Sequence, residues 1–192
     1  MNFAKALQEI GVSERSSVNI IGANSPEWVI SFMGTIFANC LHCRVYTTNN
    51  EEACKYVAEH SECEIVVCDS EQHLRKYLSV LHLLPRIKGF VLWDGSLPKG
   101  ERNVTCVPWA DFLLRGAREV ADQVILEKMA KQRPGQCCNL VYTSGTTGNP
   151  KCVMLSHDNI IWNVRTMYKG NKHWQSNEER LVSYLPLSHI AA

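Results

Sequence analysis

The sequence predicts an α/β chain of layered, mainly parallel sheet flanked by helices, and three observations carry that prediction. Short apolar runs alternate with segments of helical periodicity along most of the 192 residues. The runs at 18–21, 65–68 and 90–93 lack the in/out polar alternation of a half-exposed strand, as strands covered on both faces do. Helix-start residues stand just ahead of the periodic segments, as Ser25-Pro26-Glu27 and Asn50-Glu51-Glu52 illustrate.

Taken in order, residues 3–10 place apolar side chains at helical spacing and stop at Gly11, and the strand at 18–21 ends at Gly22. Ser25 occupies an N-cap position, Pro26 the first helical position and Glu27 the first turn of a helix with Trp28, Val29, Phe32, Met33, Ile36 and Phe37 on a wide apolar face. Val45 and Tyr46 read as strand. Asn50 then caps a helix whose inner side carries Ala53, Tyr56, Val57 and His60. After the strand at 65–68, Leu74, Tyr77, Leu78 and Leu81 mark a helix closed by Pro85, and 90–93 is a strand again. Residues 94–105 are turn-rich, 109–133 form a helical stretch with a charged end, and Pro134-Gly135 punctuates the chain before a strand at 138–142.

Composition narrows the function classes. Twenty Lys and Arg against nineteen Asp and Glu, mixed along the chain, give no basic stripe for a nucleic acid. No apolar stretch is long enough to span a bilayer and the first ten residues do not read as a signal peptide, so an intracellular, soluble chain is expected. Nine cysteines at irregular spacing argue against a secreted disulfide framework and for buried thiols in a reducing compartment. Cys40-Leu41-His42-Cys43 has the form of a metal-binding pair, but no second tight pair follows at finger spacing, and a zinc module is the weakest of the readings.

The chemistry concentrates in Tyr142-Thr143-Ser144-Gly145-Thr146-Thr147-Gly148-Asn149-Pro150-Lys151. Glycines let the backbone turn so that successive N–H groups converge on one anion, hydroxyls add donors, and a lysine adds a mobile charge. A surface turn uses the same residue types, but this loop sits between the 138–142 strand and an apolar segment at 153–155, with Ser156 as the cap of a helix bearing Ile160, Ile161, Val164, Met167 and Tyr168. It is not the loop of P-loop ATPases, which closes on Gly-Lys-Ser/Thr where this chain has Pro150-Lys151-Cys152. No Gly-x-Ser-x-Gly elbow supports a serine hydrolase.

The loop closely resembles the signature of the adenylate-forming superfamily of acyl-CoA synthetases, luciferases and peptide-synthetase adenylation domains. Asn24-Ser25-Pro26-Glu27-Trp28 is similar to that family's early helix, and Tyr184-Leu185-Pro186-Leu187-Ser188-His189 to its next motif. The wording of Tyr46-Thr47-Thr48-Asn49, Glu52-Ala53-Cys54-Lys55-Tyr56-Val57 and residues 185–192 is most similar to the bubblegum-type long-chain acyl-CoA synthetases.

The resemblance implies a two-step ligase reaction: a fatty-acid carboxylate attacks the α-phosphorus of magnesium-bound ATP, and the thiol of coenzyme A then displaces AMP. It places Thr143, Ser144, Gly145, Thr146, Thr147, Gly148 and Lys151 on the β- and γ-phosphates and His189 beside the acyl and adenylate pocket. It implies a cytoplasmic protein, with peripheral docking on the endoplasmic reticulum or other membranes compatible with a fatty-acid substrate. Residues 1–192 would be a partial N-terminal adenylation domain, shortened at both ends, without the family's ribose-binding aspartate, magnesium-binding glutamate, C-terminal lid domain and catalytic lysine. The expected result is a ligase fragment inactive by itself, or else a non-catalytic nucleotide-binding or regulatory remnant. Two departures are expected to strain turns that need positive φ: Cys152 where the family has glycine after the loop lysine, and residues 39–44 where relatives favour glycines.

Overall fold

Four helices begin where a side chain closes their first turn: Ser25 accepts from Trp28 N (3.2 Å), Asn50 from Ala53 N (2.9 Å), Ser70 from His73 N (3.4 Å) and Ser156 from Asn159 N (3.2 Å). The computed structural model describes residues 1–97, 105–143, 149–170, 180 and 182–189. Its elements in chain order are α1 (Asn2–Glu9), β1 (Ser17–Ile21), α2 (Pro26–Phe37), β2 (Leu41–Val45), α3 (Glu51–His60), β3 (Cys63–Cys68) and α4 (Glu71–Leu78). There follow β4 (Gly89–Leu92), β5 (Thr105–Pro108), α5 (Trp109–Glu119), α6 (Asp122–Lys131), β6 (Cys137–Thr143), β7 (Lys151–Ser156) and α7 (His157–Gly170).

The described strands form one seven-stranded sheet in the order β5-β4-β3-β1-β2-β6-β7. All neighbours are parallel except β6 and β7, which pair antiparallel. Alternate residues of the inner strands feed two separate cores. Val18, Ile20, Ile65, Val67 and Val91 pack with Phe3, Trp28, Phe112 and Ile125 from α1, α2, α5 and α6. Ile21, Val66, Cys68, Phe90 and Leu92 pack with Cys54, Val57, Leu74 and Tyr77 from α3 and α4. Burial on both faces is why these strands read as unbroken apolar runs.

Three expectations need correction. The turn-rich reading of 94–105 overran the start of β5, a short edge strand whose side chains are mostly not buried and which therefore lacks an apolar signature. The helical stretch at 109–133 is two helices, broken where Val120 and Ala121 adopt extended backbone. Strain at 39–44 and at Cys152 is absent. In that segment only Asn39 has positive φ (61°), a conformation asparagine tolerates well, whereas residues 41–45 are strand β2 and Cys152 lies within β7.

The C-x-x-C pair also separates in space. Cys40 belongs to the core under α1 and α2, Cys43 to the core under α3 and α4, so the sheet stands between the two layers they join. All nine cysteines are free thiols. Burial pushes the Cys40 and Cys63 thiols up to about 12, away from the thiolate form that binds metals.

His42, fully buried on β2, gives the fold a defined acid sensitivity. Its Nδ1 bonds Asn139 Oδ1 at 2.8 Å, its ring meets Trp28 and Phe32 edge-on, and its Nε2 has no partner. Desolvation, reinforced by the Arg44 charge and opposed by the Asn139 bond, lowers its pKa to about 3. The unfolded chain takes up this proton below about pH 6.5 and the folded chain does not, so folding stability should fall by roughly 1.4 kcal/mol per pH unit between those values. Urea unfolding of the native chain and His42→Gln at pH 7, 6 and 5 checks this: the native chain should lose stability more steeply, because the carboxylates titrate alike in both.

Candidate functional site

Parallel strands β1, β2 and β6 end at one edge of the sheet, and the chain leaves that edge at Gly22-Ala23-Asn24, at Tyr46 and at Thr143. The carboxyl edge of a parallel sheet is where loops converge without obstructing the ladder, and α/β proteins bind ligands there. Because β7 runs antiparallel, it begins at the same edge. Thr143 and Lys151 are directly paired, and the Thr143 hydroxyl donates to the Lys151 carbonyl (3.4 Å). Both residues are exposed. Thr143 and Lys151 are thus the two feet of the loop; Ser144, Gly145, Thr146, Thr147 and Gly148 lie outside the described residues.

The feet rest on a stiff frame. Tyr142 is buried and its hydroxyl bonds His60 Nδ1 at 2.8 Å, while the Tyr56 hydroxyl donates to the Pro150 carbonyl at 3.1 Å. Cys152 pairs with Tyr142 across the hairpin and packs against the α3/α4 core, which accounts for its tolerance at a position where glycine was expected.

A second contact joins the two other motifs. Asn24 Nδ2 donates to the Leu185 carbonyl (2.7 Å), the Ser183 carbonyl (3.2 Å) and the Ser183 hydroxyl (3.0 Å), and its Oδ1 accepts from Leu187 N (2.7 Å). Arg44, at the end of β2, donates to the Leu187 carbonyl at 3.3 Å. The segment is held through its main chain, so its side chains can differ while its path does not. Ser188 is buried, and His189 is exposed with its backbone N–H on the Pro186 carbonyl (2.7 Å). Sequence reasoning placed Asn24 only in an early-helix motif; bonds spanning some 160 positions leave no periodic trace. Removing the clamp should free the segment: Asn24→Ala is expected to raise chymotrypsin cleavage after the exposed Tyr184 at least about tenfold, because several hydrogen bonds of about 1 kcal/mol are lost together.

Lys151 makes no ion pair among the described residues. Its ammonium, one paired threonine away from the loop, is available to an anion. No group of three or more His, Cys, Asp or Glu among the described residues is placed to hold a metal ion.

Comparison with known families decides the ancestry of this arrangement. The model of the family described as AMP-binding enzyme matches residues 1–192. The chain belongs to that family. Among curated relatives, it is 41% identical over 191 residues to the long-chain-fatty-acid–CoA ligase ACSBG2 of Xenopus laevis, covering 98% of this chain and 25% of that protein. It is equally 41% identical over 191 residues to ACSBG1 of Rattus norvegicus, with 98% and 26% covered. The chain therefore spans about a quarter of the length of these relatives.

Solved structures share the fold. The adenylation domain of a carboxylate reductase from Mycobacterium chelonae superposes with a TM-score of 0.74 at 19% identity, over 99% of this chain and 31% of that one. The anthranilate CoA ligase AuaEII in complex with anthranoyl-AMP gives 0.72 at 20% identity, over 85% and 29%. Among the described residues no helix is long and apolar enough to cross a membrane.

Proposed function

We propose that the chain supplies the ATP-phosphate grip of a long-chain fatty acid–CoA ligase. The observation that carries the reading is the hairpin that sets the Thr143 hydroxyl and the Lys151 ammonium, which makes no ion pair among the described residues, at the two feet of a Ser/Thr/Gly loop, in a chain 41% identical to such ligases. In this reading Thr143, Ser144, Gly145, Thr146, Thr147, Gly148 and Lys151 hold the β- and γ-phosphates while a fatty-acid carboxylate attacks the α-phosphorus. Donors aimed at the departing pyrophosphate stabilise the charge that develops on it, the usual protein contribution to phosphoryl and nucleotidyl transfer.

Magnesium would arrive with the nucleotide, and coenzyme A would accept the acyl group in the second step. His189, on the segment pinned by Asn24, would border the acyl and adenylate pocket. Residues 1–192 are proposed as part of an N-terminal adenylation domain, with a cytoplasmic or membrane-peripheral location following from the substrate.

Fatty-acid-dependent exchange of pyrophosphate into ATP tests the assignment. A protein carrying residues 1–192 within the full length of the relatives is expected to catalyse it, and the 192-residue chain alone to bind ATP without exchange. Absence of exchange in that full-length protein with every long-chain acid tried would sink the ligase reading.

A further inference from the structure

Helix α3 carries two side chains that the phosphate-loop reading does not use and that reach both rails of the loop's hairpin. Tyr56 and His60 stand four residues apart, on one face of the helix, with their rings stacked at a centroid distance of 5.5 Å. One turn of helix thereby meets two strands: His60 bonds the Tyr142 hydroxyl on β6, and Tyr56 bonds the Pro150 carbonyl just ahead of β7. The residues gripped are the immediate neighbours of Thr143 and Lys151. Pro150 has no N–H and lies outside the strand ladder, so its carbonyl is its only polar handle, and the Tyr56 hydroxyl takes it.

We infer that Tyr56 and His60 are positioning residues for the phosphate grip, fixing the spacing and direction of the Thr143 and Lys151 feet from the adjacent helix. This rests on the reading of the loop as an ATP-phosphate site. The physical reason is that a donor set for a polyphosphate works only when its members are held to within about half an ångström, and the end of a two-stranded hairpin at the edge of a sheet frays unless a neighbour braces it. A packing role alone would need the two rings and not their polar atoms. Tyr142 also packs edge-on against both rings (6.3 and 5.7 Å), so the aromatic contacts would survive loss of the Tyr56 hydroxyl.

Tyr56→Phe isolates the hydroxyl. In the unliganded 192-residue chain, amide hydrogen exchange at 142–143 and 151–152 is expected to accelerate about three- to tenfold, the effect of one lost hydrogen bond, with exchange in β1 and β3 unchanged. Titration with magnesium ATP and with inorganic tripolyphosphate should show both ligands weakened about three- to tenfold, with the thermal midpoint held. His60→Phe, which keeps a ring on Tyr56, should act in the same direction. Unchanged exchange at the hairpin overturns the inference whatever the nucleotide does. Native ATP affinity in Tyr56→Phe with a loosened hairpin overturns the positioning role and leaves the phosphate site standing. A native chain that binds neither ATP nor tripolyphosphate overturns the phosphate site and the positioning role together.

Discussion

Replacing Lys151 with alanine is expected to weaken ATP binding by about ten- to a hundredfold while leaving the fold intact. The side chain is exposed at the first position of β7, and among the described residues it pairs with no carboxylate, so its removal costs the protein no internal contact of consequence. What it removes on the proposed reading is a charge-assisted hydrogen bond to a phosphate, worth about 1.5–3 kcal/mol where the site is partly shielded. That range is the stated factor in affinity. Lys151→Arg should recover part of the loss, because it keeps the charge but spreads it over a planar fork that a lysine-shaped site does not match. Calorimetric titration with magnesium ATP, beside thermal unfolding of each variant, makes the check. Equal affinity in the native chain and Lys151→Ala would remove Lys151 from the site.

The largest effect on stability is expected at Gly116, where α5 crosses α1. A Cβ there would sit 2.2 Å from the Asn2 carbonyl oxygen and 2.5 Å from the Ala6 nitrogen, so two helix backbones touch at this point. The close approach brings Phe3 against Trp109 and Phe112, at centroid distances of 5.6 and 5.1 Å, and it lets buried Lys5 reach Asp122 at 2.8 Å. A valine would push the helices apart along the whole crossing, opening the core shared by α1, α2, α5 and α6. Gly116→Val should therefore cost upward of about 3 kcal/mol, the upper range for overpacking, a large share of the roughly 5–15 kcal/mol a domain possesses. Urea unfolding should show that loss, with Gly116→Ala intermediate. Gly135, beside which an added Cβ would meet nothing within 4 Å, is the control. If Gly116→Val unfolds at the same urea concentration as Gly135→Ala, the crossing does not hold the core as described.

The site was legible in unequal parts. The loop chemistry could be read because it is local: hydroxyls, glycines and a lysine packed into ten positions after a strand. The structure sets Thr143 opposite Lys151 and places His189 on a segment pinned to the end of β1, a relation between residues far apart in the chain. The brace from Tyr56 and His60 was not legible: His60 was read on the helix's inner side, whereas the structure buries Cys54, Val57 and Ala58 and leaves His60 exposed, and nothing in an amphipathic pattern says which polar atoms will meet which strand. The expectation of strain at Cys152 failed for the same reason. Backbone conformation was inferred from residue type at a position whose strand partner was unknown.

What the sequence determined by itself is the set of elements and their kind. Ser25, Asn50 and Ser156 cap helices through bonds within three residues of themselves, and runs such as 65–68 are strands because short apolar segments bounded by turns have few other homes. Only the tertiary structure decided the order of strands, the split of Cys40 and Cys43 between two cores, the short edge strand β5, and the convergence of Asn24, Arg44, Thr143 and Lys151 on one edge of the sheet. The physical reason is range. Capping and periodicity act over one or two turns of chain and leave their mark in composition, whereas the contacts that build the site join residues many tens of positions apart and are selected by packing.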